Sequence, residues 1–141
     1  MSAGLYIAKY KLYREASMEE ISIAEALQYM KTEILAQDWR LSPRRIEILR
    51  RAFAAVDKET GGRWALAQML GMARATLDYI GRHGNKVLPD VFDFQKESLA
   101  HLVSLIEDRE LSTTREAEIC QRAYERFEAL KKKLSSRASN L

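Results

Sequence analysis

Residues 63–84, RWALAQMLGMARATLDYIGRHG, admit two different structures, and the choice between them decides the fold. The first structure is a single helix. Its apolar residues follow one another at steps of four, three, four and three, which places them on one side of an α-helix: Leu66, Leu70, Ala73, Leu77 and Ile80. A glycine within a helix, here Gly71, costs about 1 kcal/mol relative to alanine, but it lets a partner approach closely. We expect this single helix, packed within a bundle.

The second structure is a pair of short helices, because the same stretch resembles a helix-turn-helix motif. Ala67 is the small residue expected in the first helix, and Gly71 stands four positions later, where the turn belongs. The second helix would then present four side chains to DNA: Arg74, Thr76, Tyr79 and Arg82. The apolar positions of this motif also satisfy the single helix. The presented face lacks Asn and Gln, the side chains that read adenine.

Composition limits the classes of protein to which the chain can belong. Its 141 residues, 47% of them hydrophobic, suffice for one domain with a substantial core. The net charge of +3 permits an acidic partner or nucleic acid without requiring either. The single cysteine, Cys120, excludes an internal disulfide. No apolar run approaches the roughly 20 residues of a membrane span, and no signal peptide is recognisable. We therefore expect a cytoplasmic protein.

Three tyrosines near the N-terminus form a stripe at helical spacing. Tyr6, Tyr10 and Tyr13 predict a short helix over residues 4–14, although nearby apolar residues also alternate as in a strand. Aromatic side chains are enriched in the cores of protein interfaces. The three tyrosines are therefore candidate partner contacts, and packing onto the bundle is the alternative.

Start signals precede each of the longer helices. Ser17 and Glu20 form a capping box, which predicts a helix over residues 18–37. The remaining start signals are a serine followed by proline, an aspartate cap and a second capping box: Ser42-Pro43, Asp90 or Asp93, and Thr113 with Glu116. Gly61 and Gly84 mark the ends of two helices.

These signals predict an all-α fold, a bundle of four main helices with a shorter N-terminal helix. Residues 1–134 are expected to form one domain, and residues 135–141 a frayed polar tail. Several helices have wide apolar faces, which are typical of helices that pack on more than one side.

Few residues suggest a catalytic or metal-binding role. His101 lies four residues after Glu97 on one helix face, which raises the hypothesis of a metal site or of a phosphotransfer histidine. The ligand count for a metal is too low, however, because the chain holds two histidines and no Glu-x-x-His pair. Cys120 lies on an apolar stripe and is interpreted as a core residue. The sequence predicts no cofactor and does not favour an enzyme.

A cluster of arginines begins the helix after Pro43. Arg44, Arg45 and Arg51 are candidate contacts for an anionic partner. The alternative is a solvated face with salt bridges, which is favoured because Arg45 does not share a face with the other two.

The main functional hypothesis is a non-catalytic helical interaction module, meaning an adaptor, an assembly subunit or a homodimer. It follows from the absence of a chemical constellation and from the wide apolar faces. The first alternative is a DNA-binding regulator that uses residues 63–82. The second is a phosphotransfer or metal-binding bundle centred on His101.

Overall fold

The computed structural model describes residues 20–36 and 40–139. Within these residues the chain forms five α-helices and no strand, so the predicted all-α fold is confirmed. The helices are α1 (Ile23–Leu35), α2 (Pro43–Asp57), α3 (Trp64–His83), α4 (Pro89–Glu107) and α5 (Thr113–Ser139), with a 3₁₀ turn at Gly84–Lys86. The short helix predicted over residues 4–14 lies outside the described residues.

The first four helices form the bundle, and α5 packs on its outside. Each of α1 to α4 contacts the next along the chain, and α1 also contacts α4, which closes a ring of four. α5 packs against α3 and α4. Arg63 joins the beginnings of α3 and α5 by an ion pair with Glu116, and the later turns of the two helices also meet, so α3 and α5 run in the same direction.

Several helices begin at other residues than predicted. α1 begins at Ile23, so residues 20–22 of the predicted helix are not helical; Met18 lies outside the described residues. The capping box that sets this start is Ser22 with Glu25, where the Glu25 amide donates to Ser22 Oγ at 3.1 Å. α4 begins with Pro89 at its first position, so neither Asp90 nor Asp93 is its cap.

Two boundaries were placed correctly or nearly so. Ser42 caps α2 by accepting from the Arg45 amide at 3.2 Å, as predicted. Ser112 accepts from the Arg115 amide at 3.0 Å, so the cap of α5 precedes the predicted Thr113 by one residue. α5 then continues to Ser139, through most of the predicted polar tail.

The central stretch is one helix. α3 is helical without a break from Trp64 to His83, including Gly71, and it ends at Gly84, whose φ of 55° is of the kind that glycine adopts readily. The single-helix prediction is therefore confirmed, and the helix-turn-helix alternative is wrong, since no turn forms at Gly71. The apolar seam buries enough surface to outweigh one glycine: Leu66, Leu70, Ala73, Leu77 and Ile80 are each at most 2% exposed.

The buried side chains form two clusters. The larger cluster fills the ring of α1 to α4 and reaches α5 through Cys120 and Ala123. The smaller cluster centres on Ile80, Val91 and Phe92, at the end of the bundle where α3 ends and α4 begins. The side chains of Cys120 and Ala123 are small, which allows α5 to lie close to the bundle.

Candidate functional site

A groove runs between the later turns of α3 and α5. We call it the α3–α5 groove; its cavity has a volume of about 200 Å³. Its walls are apolar and are contributed by three helices: Ala75 and Tyr79 from α3, Val91 from α4, and Phe127, Leu130 and Leu134 from α5. Tyr79, Phe127, Leu130 and Leu134 are only partly buried, so the bundle core does not use all of their apolar surface.

Two cations stand at the rim of the α3–α5 groove. Lys131 Nζ lies 5.1 Å from the centroid of the Phe127 ring and 2.8 Å from Glu128 Oε1. The hydrogen bond to Glu128 raises the pKa of Lys131, so this lysine stays protonated. Arg82 is exposed and forms no ion pair within the described part of the chain. The groove therefore combines apolar walls with a positive rim.

The exposed side of α3 continues the groove toward the beginning of the helix. We call this line of residues the uncharged α3 stripe; its members are Trp64, Gln68, Gly71 and Ala75. All four are exposed, at steps of four, three and four, so they lie on one face. Trp64 is 60% exposed, and Tyr124 of α5 is 49% exposed. The solvent face of a helix is normally charged, and this stripe has no charge over three turns.

The predicted arginine cluster is not a free basic patch. Arg45 forms a bidentate pair with Glu33, with nitrogen–oxygen distances of 2.8 and 2.7 Å, and it ties α2 to α1. Arg51 lies 3.7 Å from Glu47 on its own helix. Arg44 is exposed. The structure thus gives Arg45 a structural partner and does not bring the three arginines to one surface. The candidate contacts Tyr6, Tyr10 and Tyr13 lie outside the described residues.

The four side chains assigned to DNA contact do not form one exposed face. Thr76 was expected to be exposed, but it is 3% exposed, and its hydroxyl donates to the Met72 carbonyl at 2.8 Å. Arg74 lies 3.8 Å from Asp57 of α2. Tyr79 packs on the His83 ring, with centroids 4.2 Å apart. Of these four residues, only Arg82 is an exposed cation without an ion pair in the described ranges.

His101 belongs to a small surface network. Its Nε2 lies 3.6 Å from Glu97 Oε1, and the same oxygen accepts from Arg126 Nη1 at 2.7 Å. The Glu97 carboxylate is therefore shared with an arginine, which competes with the histidine for it. Among residues 20–36 and 40–139, no group of three or more His, Cys, Asp or Glu side chains is placed to hold a metal ion.

Cys120 packs in the interface of α5 with the bundle. It is 3% exposed, and burial raises the pKa of its thiol. Both properties disfavour the thiolate, which is the reactive form of cysteine.

A larger and more open cavity, of about 730 Å³, lies at the opposite end of the bundle. Ile23, Leu27 and Ile106 form its apolar part. Arg63 crosses it, donating to the Leu105 carbonyl at 2.7 Å and pairing with Glu116. Because this arginine is engaged on both sides, it serves here to join three helices.

The sequence did not single out the α3–α5 groove. Phe127, Leu130 and Leu134 follow Cys120 at helical spacing, and periodicity does not tell a buried stripe from a half-buried one. The available signal was the uncharged α3 stripe, since Trp64 and Gly71 both lie opposite the apolar seam of their helix.

No family model, curated protein or solved structure matches the chain. Within the described residues, none of the helices combines the length and the apolarity needed to cross a membrane.

Proposed function

We propose that the chain is a non-catalytic interaction module that binds a protein partner along α3 and α5. The observation that carries the proposal is the surface formed by the uncharged α3 stripe and the α3–α5 groove. Trp64 of the stripe is 60% exposed, Tyr124 of α5 is 49% exposed, and the apolar side chains that α5 gives to the groove are half-buried. Exposed apolar surface in contiguous patches marks interaction sites, and tryptophan and tyrosine are the residues that most often dominate binding energy.

Gly71 adds a second reason. A Cβ built at Gly71 meets no atom within 4 Å, so nothing in the described part of the chain requires a glycine there. The helix nonetheless carries the cost of about 1 kcal/mol that a glycine imposes. Close approach of another molecule to α3 accounts for this cost.

Site-specific photocross-linking tests the proposal. A photoreactive phenylalanine analogue replaces Gln68 on the uncharged α3 stripe or, as the matched control, the exposed Gln28 of α1. Irradiation in the native cells should give one adduct of defined mass from position 68 and none from position 28. An adduct of twice the chain mass identifies a homodimer, and any other mass identifies a different partner.

The substitution Trp64→Ser then tests the role of the exposed aromatic ring. It should remove most of the adduct without unfolding the chain, because Trp64 is 60% exposed. The photoreactive residue is also placed at positions 71 and 75 of the same stripe. If none of the three positions cross-links in folded protein, the proposal of an interaction module on this surface is refuted. Tyr29→Ser, at another exposed aromatic on α1, is the control and should leave the adduct unchanged.

A further inference from the structure

We infer that the α3–α5 groove binds an acidic segment of a partner protein, one that inserts a bulky apolar side chain and places carboxylates against Arg82 and Lys131. This inference rests on the proposed function and adds the chemistry of the partner to it. It draws on the volume of the groove, on its walls and on the charge at its rim.

The volume fits one bulky side chain. The cavity measures about 200 Å³. A dry protein cavity of about 150 Å³ is large enough to hold benzene, so a leucine or phenylalanine side chain fits here. The walls match such a group, because Val91, Phe127, Leu130 and Leu134 present only hydrocarbon. An amphipathic helix lays several apolar anchors along a groove, and this cavity has room for one of them.

The charged residues around the groove favour a partner segment with negative charge. The nearby acids are already engaged: Asp78 lies 3.6 Å from Arg50, and Asp90 lies 2.5 Å from Lys133. Glu128 pairs in the same way with Lys131, so the uncompensated charge at the rim is that of Arg82, which has no ion pair among the described residues. A partner with carboxylates beside its apolar residue is therefore steered to this rim, and a basic partner is repelled.

The walls also favour a protein segment over a nucleic acid. A nucleic acid is held mainly through its phosphates, by several cations along a groove. Here two cations flank an apolar cavity, and Thr76 and Val91 lie buried at its base. Burial of an apolar side chain gains about 1.5–3 kcal/mol, which phosphates do not supply.

The test uses a library of short random peptides displayed on phage and selected against the folded chain. The enriched peptides should share a leucine, phenylalanine or tryptophan flanked by Asp or Glu, with a net negative charge. A representative peptide should shift the amide NMR signals of Tyr79, Phe127 and Leu130. No enrichment, or enrichment of neutral or basic peptides, overturns the inference, as does duplex DNA displacing the selected peptide from these residues.

Charge-reversal variants separate the rim from the rest of the surface. Arg82→Glu with Lys131→Glu should weaken binding of the selected peptide about tenfold or more, which corresponds to about 1.4 kcal/mol. Arg82→Gln alone should weaken it less and serves if the double variant fails to fold. The control Arg44→Glu changes an equally exposed arginine on α2 and should leave binding unchanged. Equal loss in the control overturns the inference.

The two proposals fail separately. A cross-link at position 68 together with selection of neutral or basic peptides supports the interaction module and refutes the acidic partner segment. The absence of any cross-link along the uncharged α3 stripe removes the module itself.

Discussion

Replacing Gln95 with methionine should stabilise the protein. Gln95 lies on α4 and is 2% exposed, and neither its amide nitrogen nor its amide oxygen has a hydrogen-bond partner among residues 20–36 and 40–139. A buried polar group without a partner costs about 1–3 kcal/mol. Methionine has a similar length and no group that needs a hydrogen bond, and its flexible chain fills irregular space. The free energy of unfolding should therefore rise in Gln95→Met.

The surroundings of Gln95 set the magnitude. A cavity of about 20 Å³ adjoins it, bounded by Leu49, Phe92 and Leu99 among others. This volume admits at most about one water molecule, which would satisfy only part of the amide. We therefore expect an increase of about 1–2 kcal/mol, below the upper limit of 3. For a chain of this length the melting temperature should rise by about 3 °C per kcal/mol.

Urea unfolding followed by far-ultraviolet circular dichroism measures the change. The slope of the unfolding free energy with urea should stay constant, since the surface exposed on unfolding is nearly unchanged. The matched control is Gln28→Met, at an exposed glutamine of α1, and it should change stability by less than about 0.5 kcal/mol. Loss of 1 kcal/mol or more in Gln95→Met would refute the reasoning, because it would mean that the amide is well bonded.

Three further substitutions or measurements follow from the same structure. Gly71→Ala should stabilise the chain by about 1 kcal/mol in urea unfolding, whereas Gly62→Ala, at a φ of 74°, should destabilise it; the same sign for both would contradict this. Cys120 should react with a thiol reagent about a hundredfold more slowly in the folded chain than in urea, and rapid labelling without denaturant would be the opposite result. The hydrogen bond from Lys133 lowers the pKa of Asp90, so Lys133→Gln should raise that pKa toward 3.8 in a carboxyl NMR titration, and an unchanged pKa would rule out the pair. Because the folded pKa is the lower one, the pair stabilises the protein above the unfolded pKa, and this contribution is lost as pH falls through the folded value.

Periodicity predicted the fold well where a helix is long and has one apolar side. The seam of α3 indicated a continuous helix, and the structure has one. Capping patterns predicted the first residue of a helix less reliably, because the same pattern can occur twice within a short stretch of sequence. Both Ser17 with Glu20 and Ser22 with Glu25 satisfy the capping-box pattern. The second pair forms the capping box of α1, and Ser17 lies outside the described residues.

The candidate site was harder to predict, since it depends on which helices become neighbours. Phe127 and Leu134 have the spacing of core residues, and only the packing of α5 outside the ring of four leaves them half-buried. The arginine cluster was expected to form salt bridges, but its pattern did not identify Glu33 of α1 as the partner of Arg45. Pairings of this kind join residues that are distant in sequence, and no local pattern encodes them.

The position of α5 outside the ring has a consequence for how the protein is made. α1 to α4 close their ring without it, so they can fold while the ribosome is still adding α5. One wall of the α3–α5 groove is supplied by Phe127, Leu130 and Leu134, which are synthesised after the α3 and α4 residues of the other walls. A nascent chain whose α5 has not yet packed against α3 therefore lacks one wall of the α3–α5 groove.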